Sequence, residues 1–310
     1  MRFEIEKIIL EGPDLSGKTS LYNEIHKRSG YKWNVQDRSC LSMVCYARQF
    51  GREEKSLKRA LEKELSNLNN RVVILLPLFD ELKFRLESRG DDIQTLETLR
   101  SLYRIFEDES AKISKLPNVM VLRENLSLDD TSKKVISWLA TSENHSAEII
   151  GQKFVKGFVL GHDKSESVLT FECSGNISDY PNDSILENEH EGLYYREILH
   201  DFSSLIEKEI EGLNEYGKPQ DMSSRRFYYS SKTCISSLHF KPRRETLNFI
   251  CTLRSTDVVK NAAIDLSFLE FLVHKLGTKY FTECKDYFLT VTMNSAHLRN
   301  DVGSNHERSD

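Results

Sequence analysis

Long apolar runs are missing from this sequence. No stretch of its 310 residues approaches the roughly 18 apolar positions that a bilayer-spanning helix needs, which argues against a membrane-embedded chain. Paired cysteines are missing too. Cys40, Cys45, Cys173, Cys234, Cys251 and Cys284 form no CxxC pair and have no histidine at zinc spacing, so neither a disulfide framework nor a structural metal is expected. The amino-terminal MRFEIEKIILEG lacks the basic start and continuous apolar block of a secretory signal, and a cytoplasmic protein is expected. Excess positive charge is absent: a net charge of -5 offers no general attraction to a phosphate backbone, leaving only a local basic groove for that purpose.

What is present is a globular composition, 39% hydrophobic and 29% charged, with a length that suits two domains. Strand-like residues 3 to 11 lead into a glycine-containing turn and a helix from Thr19 to Arg28. The strand-like WNVQDRS, RVVILLPL and NVMVLRE then alternate with helical stretches, ending in SLDDTSKKVISWL. This alternation predicts an α/β domain with a parallel sheet covered on both faces, over residues 1–140. A polar linker from Ala140 to Glu148 precedes a second domain, 149–310, of α+β type. There KFVKGFVLG and SVLTFECSG read as strands, a long helix runs from Tyr194 to Leu213, three strands follow, and a helix spans Ile264 to Leu276.

The segment GPDLSGKT, Gly12 to Thr19, matches the phosphate-binding pattern GxxxxGK[ST] and sits between a strand and a helix, where that chemistry requires it. Loop amides and the helix N-terminus, with Ser16 and Gly17 in the turn, present donors to phosphate oxygens. Lys18 is expected to neutralise the β- and γ-phosphates of ATP, and Thr19 to give a hydroxyl to Mg2+.

These residues resemble the thymidylate kinase family and its short phage relatives: EGPDLSGKT is similar to that family's EGxDGxGKT, and DRSCLS to its DR-x-x-x-S element. The resemblance implies a P-loop three-layer kinase fold. It implies that Asp14 contacts the acceptor sugar or helps organise Mg2+, with Asp37 and Arg38 at the metal and the acceptor phosphate. VVILLPLFDELKFRLESRG resembles the family's strand, helix and lid, which implies Arg85 and Arg89 as cations over the transferring phosphoryl group. Surface ion pairing is the plain alternative for Asp37 with Arg38, and solvation for the two lid arginines. Only 18 positions separate Thr19 from Asp37, where full-length relatives build their monophosphate pocket. The acceptor therefore stays open between a deoxynucleoside monophosphate and a modified base in DNA.

The carboxy-terminal half resembles the thymidylate synthase superfamily, and within it the phage deoxycytidylate hydroxymethylases. Cys234 stands twenty positions before Arg254, the family's spacing from nucleophile to phosphate-binding arginine. SSRR resembles the element whose arginines, here Arg225 and Arg226, reach a partner's nucleotide, which implies a homodimer through this domain. SAHLRND resembles the strand with a sugar-binding histidine, here His297. The resemblance implies that Cys234 attacks C6 of a pyrimidine, with Arg254 and Ser255 on the 5′-phosphate and Asp257 near base or sugar. Asp265 stands where the synthases carry a uracil-reading Asn. A carboxylate accepts from a cytosine amino group but cannot donate to O4, which favours dCMP; Asn261 stays open as the alternative reader, should the alignment contain a gap. The methylene donor would be 5,10-methylenetetrahydrofolate.

The family's catalytic glutamate has no clear match, and the histidine's usual tyrosine partner is Arg299 here. Three whole-chain functions follow. One is a bifunctional phage-type enzyme acting on deoxynucleotides, in the host cytoplasm. The second is an active kinase joined to a non-catalytic nucleotide-binding or dimerising module, and the third an ATPase-type switch that does not act on nucleotide substrates.

Overall fold

The chain starts in one sheet and crosses into another within a few residues. The computed structural model describes residues 2–89, 94–141, 145–161, 166–178, 191–215 and 227–298. β1 (Arg2–Phe3) pairs antiparallel with the distant β6 (Glu166–Asn176), whereas β2 (Lys7–Glu11) belongs to a separate parallel sheet. The expected single strand over residues 3 to 11 is thus corrected. Asn69 fixes the crossing: its Nδ2 donates to the carbonyls of Glu4 (2.5 Å) and Glu172 (2.8 Å), and its Oδ1 accepts from the Glu172 amide (2.6 Å).

The parallel sheet has the order β3-β2-β4-β5, with β3 (Val35–Asp37), β4 (Asn70–Leu75) and β5 (Val119–Leu122). Successive strand residues face opposite ways, so Ile8 and Leu10 enter one core and Ile9 the other. The first core is closed by α1 (Lys18–Ser29) and α6 (Leu128–Ala140) through Leu21, Ile25, Val135 and Leu139. The second is closed by α2 (Cys40–Gln49), α3 (Lys55–Ser66) and α5 (Leu96–Ile113), while α4 (Phe79–Arg89) follows β4. This is the expected three-layer α/β arrangement.

The other sheet is mixed, in the order β1-β6-β11-β9-β8-β7. Its later strands are β7 (Tyr228–Ser230), β8 (Ile235–Arg243), β9 (Thr246–Leu253) and β11 (Asp286–His297). The short β10 (Thr256–Asp257) pairs with the end of β11. Helices α9 (Glu191–Glu215) and α10 (Ala262–Tyr280) accompany it. Alternate burial of Leu247, Phe249, Cys251 and Leu253 marks the face of β9 turned to the core.

KFVKGFVLG, read as a strand, is helical: α7 (Ala147–Ile149), a π-helical turn (Ile150–Val155) and α8 (Lys156–Gly161). Ile150, Phe154, Val155, Phe158 and Val159 are buried at intervals that share one helical face. Gly151 lets this helix meet α10, since a Cβ there would lie 2.6 Å from the Ala263 Cα. One hydrophobic cluster runs from α2, α3 and α5 through this helix to the mixed sheet, across the segment read as a linker. At its centre the buried Arg71 guanidinium lies 5.2 Å from both the Phe3 and Phe154 rings. Among the described residues no helix is long and apolar enough to cross a membrane.

Candidate functional site

The phosphate loop is shaped by close backbone approach. Gly12 has φ 140°, and a Cβ there would lie 2.3 Å from the Leu75 carbonyl at the end of β4. Gly17, at φ 96°, is the N-cap of α1, while Leu15 takes φ 63° without the freedom of glycine. Lys18 is buried, and its Nζ donates to the carbonyls of Gly12 (2.8 Å) and Pro13 (2.6 Å) and to Ser16 Oγ (3.2 Å). Burial pushes the Lys18 amine down to about 8; Arg38 acts in the same direction, and Asp14, Asp37 and Glu11 oppose them.

Thr19 and Asp37, eighteen positions apart, meet where β3 lies beside β2: Thr19 Oγ1 donates to Asp37 Oδ2 at 3.5 Å. A hydroxyl and a carboxylate beside a phosphate loop form an oxygen set suited to a hard divalent ion that keeps waters and phosphate oxygens as its other ligands. No cluster of three His, Cys, Asp or Glu side chains suited to a metal occurs among the described residues.

Arg38 has φ 66°, an uncommon conformation for a residue with a side chain. It ion-pairs with Asp14 and donates to the Tyr46 hydroxyl (3.0 Å). Tyr46 and Gln94 donate in turn to Asp14 Oδ2, at 2.8 and 2.7 Å. Burial pushes the Asp14 carboxyl up, but the Tyr46 hydrogen bond and the Arg38 charge outweigh it and hold it below the ordinary range.

One cavity opens on the loop and a second on residues that hold Asp14. One, about 400 Å3, is lined by Ser16, Gly17, Phe84, Arg85 and Arg89. Arg85 Nη1 donates to the Leu15 carbonyl (2.7 Å), which places this cation over the loop. The other, about 500 Å3, is lined by Arg38, Met43, Tyr46 and Arg52. The sequence reading missed Tyr46, Gln94 and Glu11. Glu11, fully buried, accepts from the Ser39 (2.8 Å) and Ser42 (3.2 Å) amides and from the Ser42 hydroxyl, tying the end of β2 to α2; burial raises its carboxyl. Its position directly before Gly12 was the available signal.

In the carboxy-terminal half a third cavity, about 290 Å3, is lined by Tyr194, Tyr195, Cys234, Arg254, Asn261 and Asp265. Cys234 precedes β8, and the register of β8 against β9 shifts between Ile235 and Ser237, a bulge of the kind that re-aims side chains. The Arg254 amide donates to the Cys234 carbonyl at 2.7 Å, which joins the two positions across adjacent strands. The Tyr194 hydroxyl donates to Thr233 Oγ1 (2.9 Å) and accepts from the Ile235 amide (3.0 Å), holding both flanks of the cysteine.

Asp265, in the first turn of α10, accepts from the Tyr195 hydroxyl (2.8 Å) and from Thr256 Oγ1 (3.4 Å). Ser255, Asp257 and His297 are not among the residues that line this cavity. The Asp257 carboxylate turns instead to the amides of Val259 (2.9 Å) and Lys260 (3.2 Å), and His297 pairs with Asp257 across β10 and β11. Arg225 and Arg226 lie outside the described residues, as does Arg299.

No family model and no curated protein matches this chain. Among solved structures, the YorR protein from Bacillus subtilis in complex with phosphorylated GDP is similar at 20% identity and a TM-score of 0.36. That match covers 43% of this chain and 95% of the other. The described residues form a mixed α/β fold in which β2, the turn at Gly12 to Gly17 and α1 follow one another.

Proposed function

We propose that this protein is a P-loop phosphotransferase that moves the γ-phosphoryl group of Mg-ATP to a deoxynucleotide acceptor. The observation that carries this reading is the loop itself, with Lys18 buried in it and the Arg85 guanidinium on the Leu15 carbonyl beside a cavity lined by Ser16, Gly17, Arg85 and Arg89. Donor phosphates would lie on the loop and along that cavity, and the acceptor in the second cavity, beside Arg38 and Tyr46. Phosphoryl transfer depends on positioning and on neutralising charge over the equatorial oxygens, and Lys18 with the α4 arginines supplies cations for that. Thr19 and Asp37 would hold Mg2+, which supplies charge neutralisation at the β- and γ-oxygens. The test is transfer from γ-labelled ATP to a panel of deoxynucleoside monophosphates and to DNA carrying hydroxymethylated pyrimidine. Label should move to one acceptor class and be lost in Lys18→Ala; no transfer to any acceptor would sink the proposal.

A second reading rests on the shared cavity of Cys234, Arg254 and Asp265. Arg254 would take the 5′-phosphate of a pyrimidine deoxynucleotide, probed most directly with dCMP, and Cys234 would add to C6 so that C5 becomes nucleophilic. Methylenetetrahydrofolate would supply the one-carbon unit and be released as tetrahydrofolate, water would add to that carbon as the hydroxyl, and the C5 proton would pass to solvent before the thiolate departs from C6. Tritium release from C5-labelled dCMP in the presence of that folate, abolished in Cys234→Ala, is the expected result. Binding of dCMP without release would instead give the module that binds nucleotide and does not catalyse.

A further inference from the structure

We infer that the exposed face of α3 and the adjoining end of α2 form a binding track for single-stranded DNA, which would bring an acceptor nucleotide to the second cavity still within its strand. The choice of DNA rests on the deoxynucleotide acceptor proposed above; the surface itself does not depend on it. Arg52, Lys55, Arg59 and Lys63 carry the charge. The last three recur every fourth residue, so they form a row on one face of α3 with about 6 Å between neighbours along its axis. All four are exposed, and among the described residues none of them is in an ion pair. The acids of the same segment are engaged elsewhere: Glu54 pairs with Arg48 and Lys58, Glu64 with Lys7, and Glu53 accepts from the Lys55 amide and the Ser56 hydroxyl. Glu62 follows Lys58 by one turn, at the margin of the row.

Flat rings alternate with cations where this row meets the cavity. Tyr46 and Phe50 stand one turn apart at the end of α2, their planes 11° from parallel and their centroids 6.4 Å apart. The Arg38 guanidinium lies 5.4 Å from the Tyr46 ring, and that of Arg52 lies 5.3 Å from the Phe50 ring. Phe50 is 56% exposed and Met43 53%, and Met43 lines the same cavity as Arg38, Tyr46 and Arg52. A single strand offers apolar base faces joined by a charged backbone, and rings set beside a row of cations can hold both. A duplex hides those faces in its own stack. An acidic peptide would satisfy the cations and leave the rings unused. With a net charge of -5 the chain as a whole does not attract phosphate, so affinity must come from these local contacts and must weaken as salt is added.

Fluorescence anisotropy of a short labelled oligothymidylate with the full chain, in the absence of ATP, tests the inference. With four phosphate contacts, log Kd should rise with log salt at a slope of about 3, since a single strand contributes roughly 0.7 per contact. Arg59→Ala combined with Lys63→Ala should lower that slope by about 1.4. Phe50→Ala should weaken binding about tenfold and leave the slope unchanged, because stacking is lost and no phosphate contact is. All three side chains are exposed, so the thermal midpoint should stay at the wild-type value. An abasic strand or a duplex of the same length should bind the wild-type protein at least about tenfold more weakly. Equal binding of the abasic strand or the duplex, tighter binding of the corresponding RNA, or an unaltered salt slope in the double variant would overturn the assignment. Phosphoryl transfer plays no part in these measurements, so strand binding without transfer to any acceptor would count against the phosphotransferase reading and leave the track standing.

Discussion

Nucleotide affinity should fall as pH rises from 7 to 9, because Lys18 must be charged to meet the β- and γ-phosphates. Its amine is pushed down to about 8 by burial, and Nζ is held by two neutral carbonyls and a hydroxyl that cannot substitute for an anion. Bound phosphate favours the charged form, so binding takes up a proton wherever free Lys18 is neutral. With a free value of about 8, the apparent Kd for Mg-ATP should rise about tenfold between pH 7 and 9, roughly 1.4 kcal/mol. Near pH 8 binding should take up about half a proton. Neighbouring groups do not obscure the effect: the Asp14 carboxyl is held low, and burial raises the Tyr46 phenol beyond this range. Calorimetry in two buffers of different ionisation enthalpy measures the uptake directly. The same shift has a stability consequence of opposite direction. The folded value lies below the unfolded one, so between pH about 8 and 10.5 the unfolded chain binds the extra proton. The ligand-free protein should therefore gain stability across that window, on the order of 3 kcal/mol at most, and Lys18→Met should remove the gain. A flat affinity from pH 7 to 9, with no buffer dependence of the enthalpy, would refute the reasoning.

Asp37→Ala should lower transfer activity about a hundredfold at low Mg2+, with partial recovery at high Mg2+, because Thr19 keeps its hydroxyl; a magnesium titration of the rate checks this. Gly12→Ala should cost at least about 2 kcal/mol of stability, since the added Cβ meets the Leu75 carbonyl; denaturant midpoints measure it, and an unchanged midpoint would contradict the packing. Asn69→Ala should cost about 3 kcal/mol, from three buried hydrogen bonds that join the two sheets, and should lower a single cooperative unfolding transition rather than split it.

The phosphate loop was legible because its chemistry is local: glycine where the backbone crowds β4, and a lysine and a threonine one position apart at the helix start. The meeting of Thr19 with Asp37 and of Cys234 with Arg254 followed from motif spacing, and strand pairing brings each couple together. Other features depend on partners that no local window contains. Phe3 leaves its apparent strand because Phe171 and Phe154 bury it in the other sheet. KFVKGFVLG is apolar on nearly every turn, so a buried helix and a buried strand look alike in it until α10 is known to pack against Gly151. Tyr46 and Tyr195 carry no motif; their roles come from hydroxyls aimed at Asp14 and Asp265 across the fold. Ser255, Asp257 and His297 had the expected spacing, yet none of them lines the cavity that Cys234 shares with Arg254.

Counting nucleotide sites on the intact chain bears most directly on the idea of two independent phosphate-gripping pockets. Equilibrium dialysis with Mg-ATP and dCMP should give one site for each, without competition. Lys18→Ala should abolish only the first and Arg254→Ala only the second. A single site for which both ligands compete, or loss of both by either substitution, would contradict it.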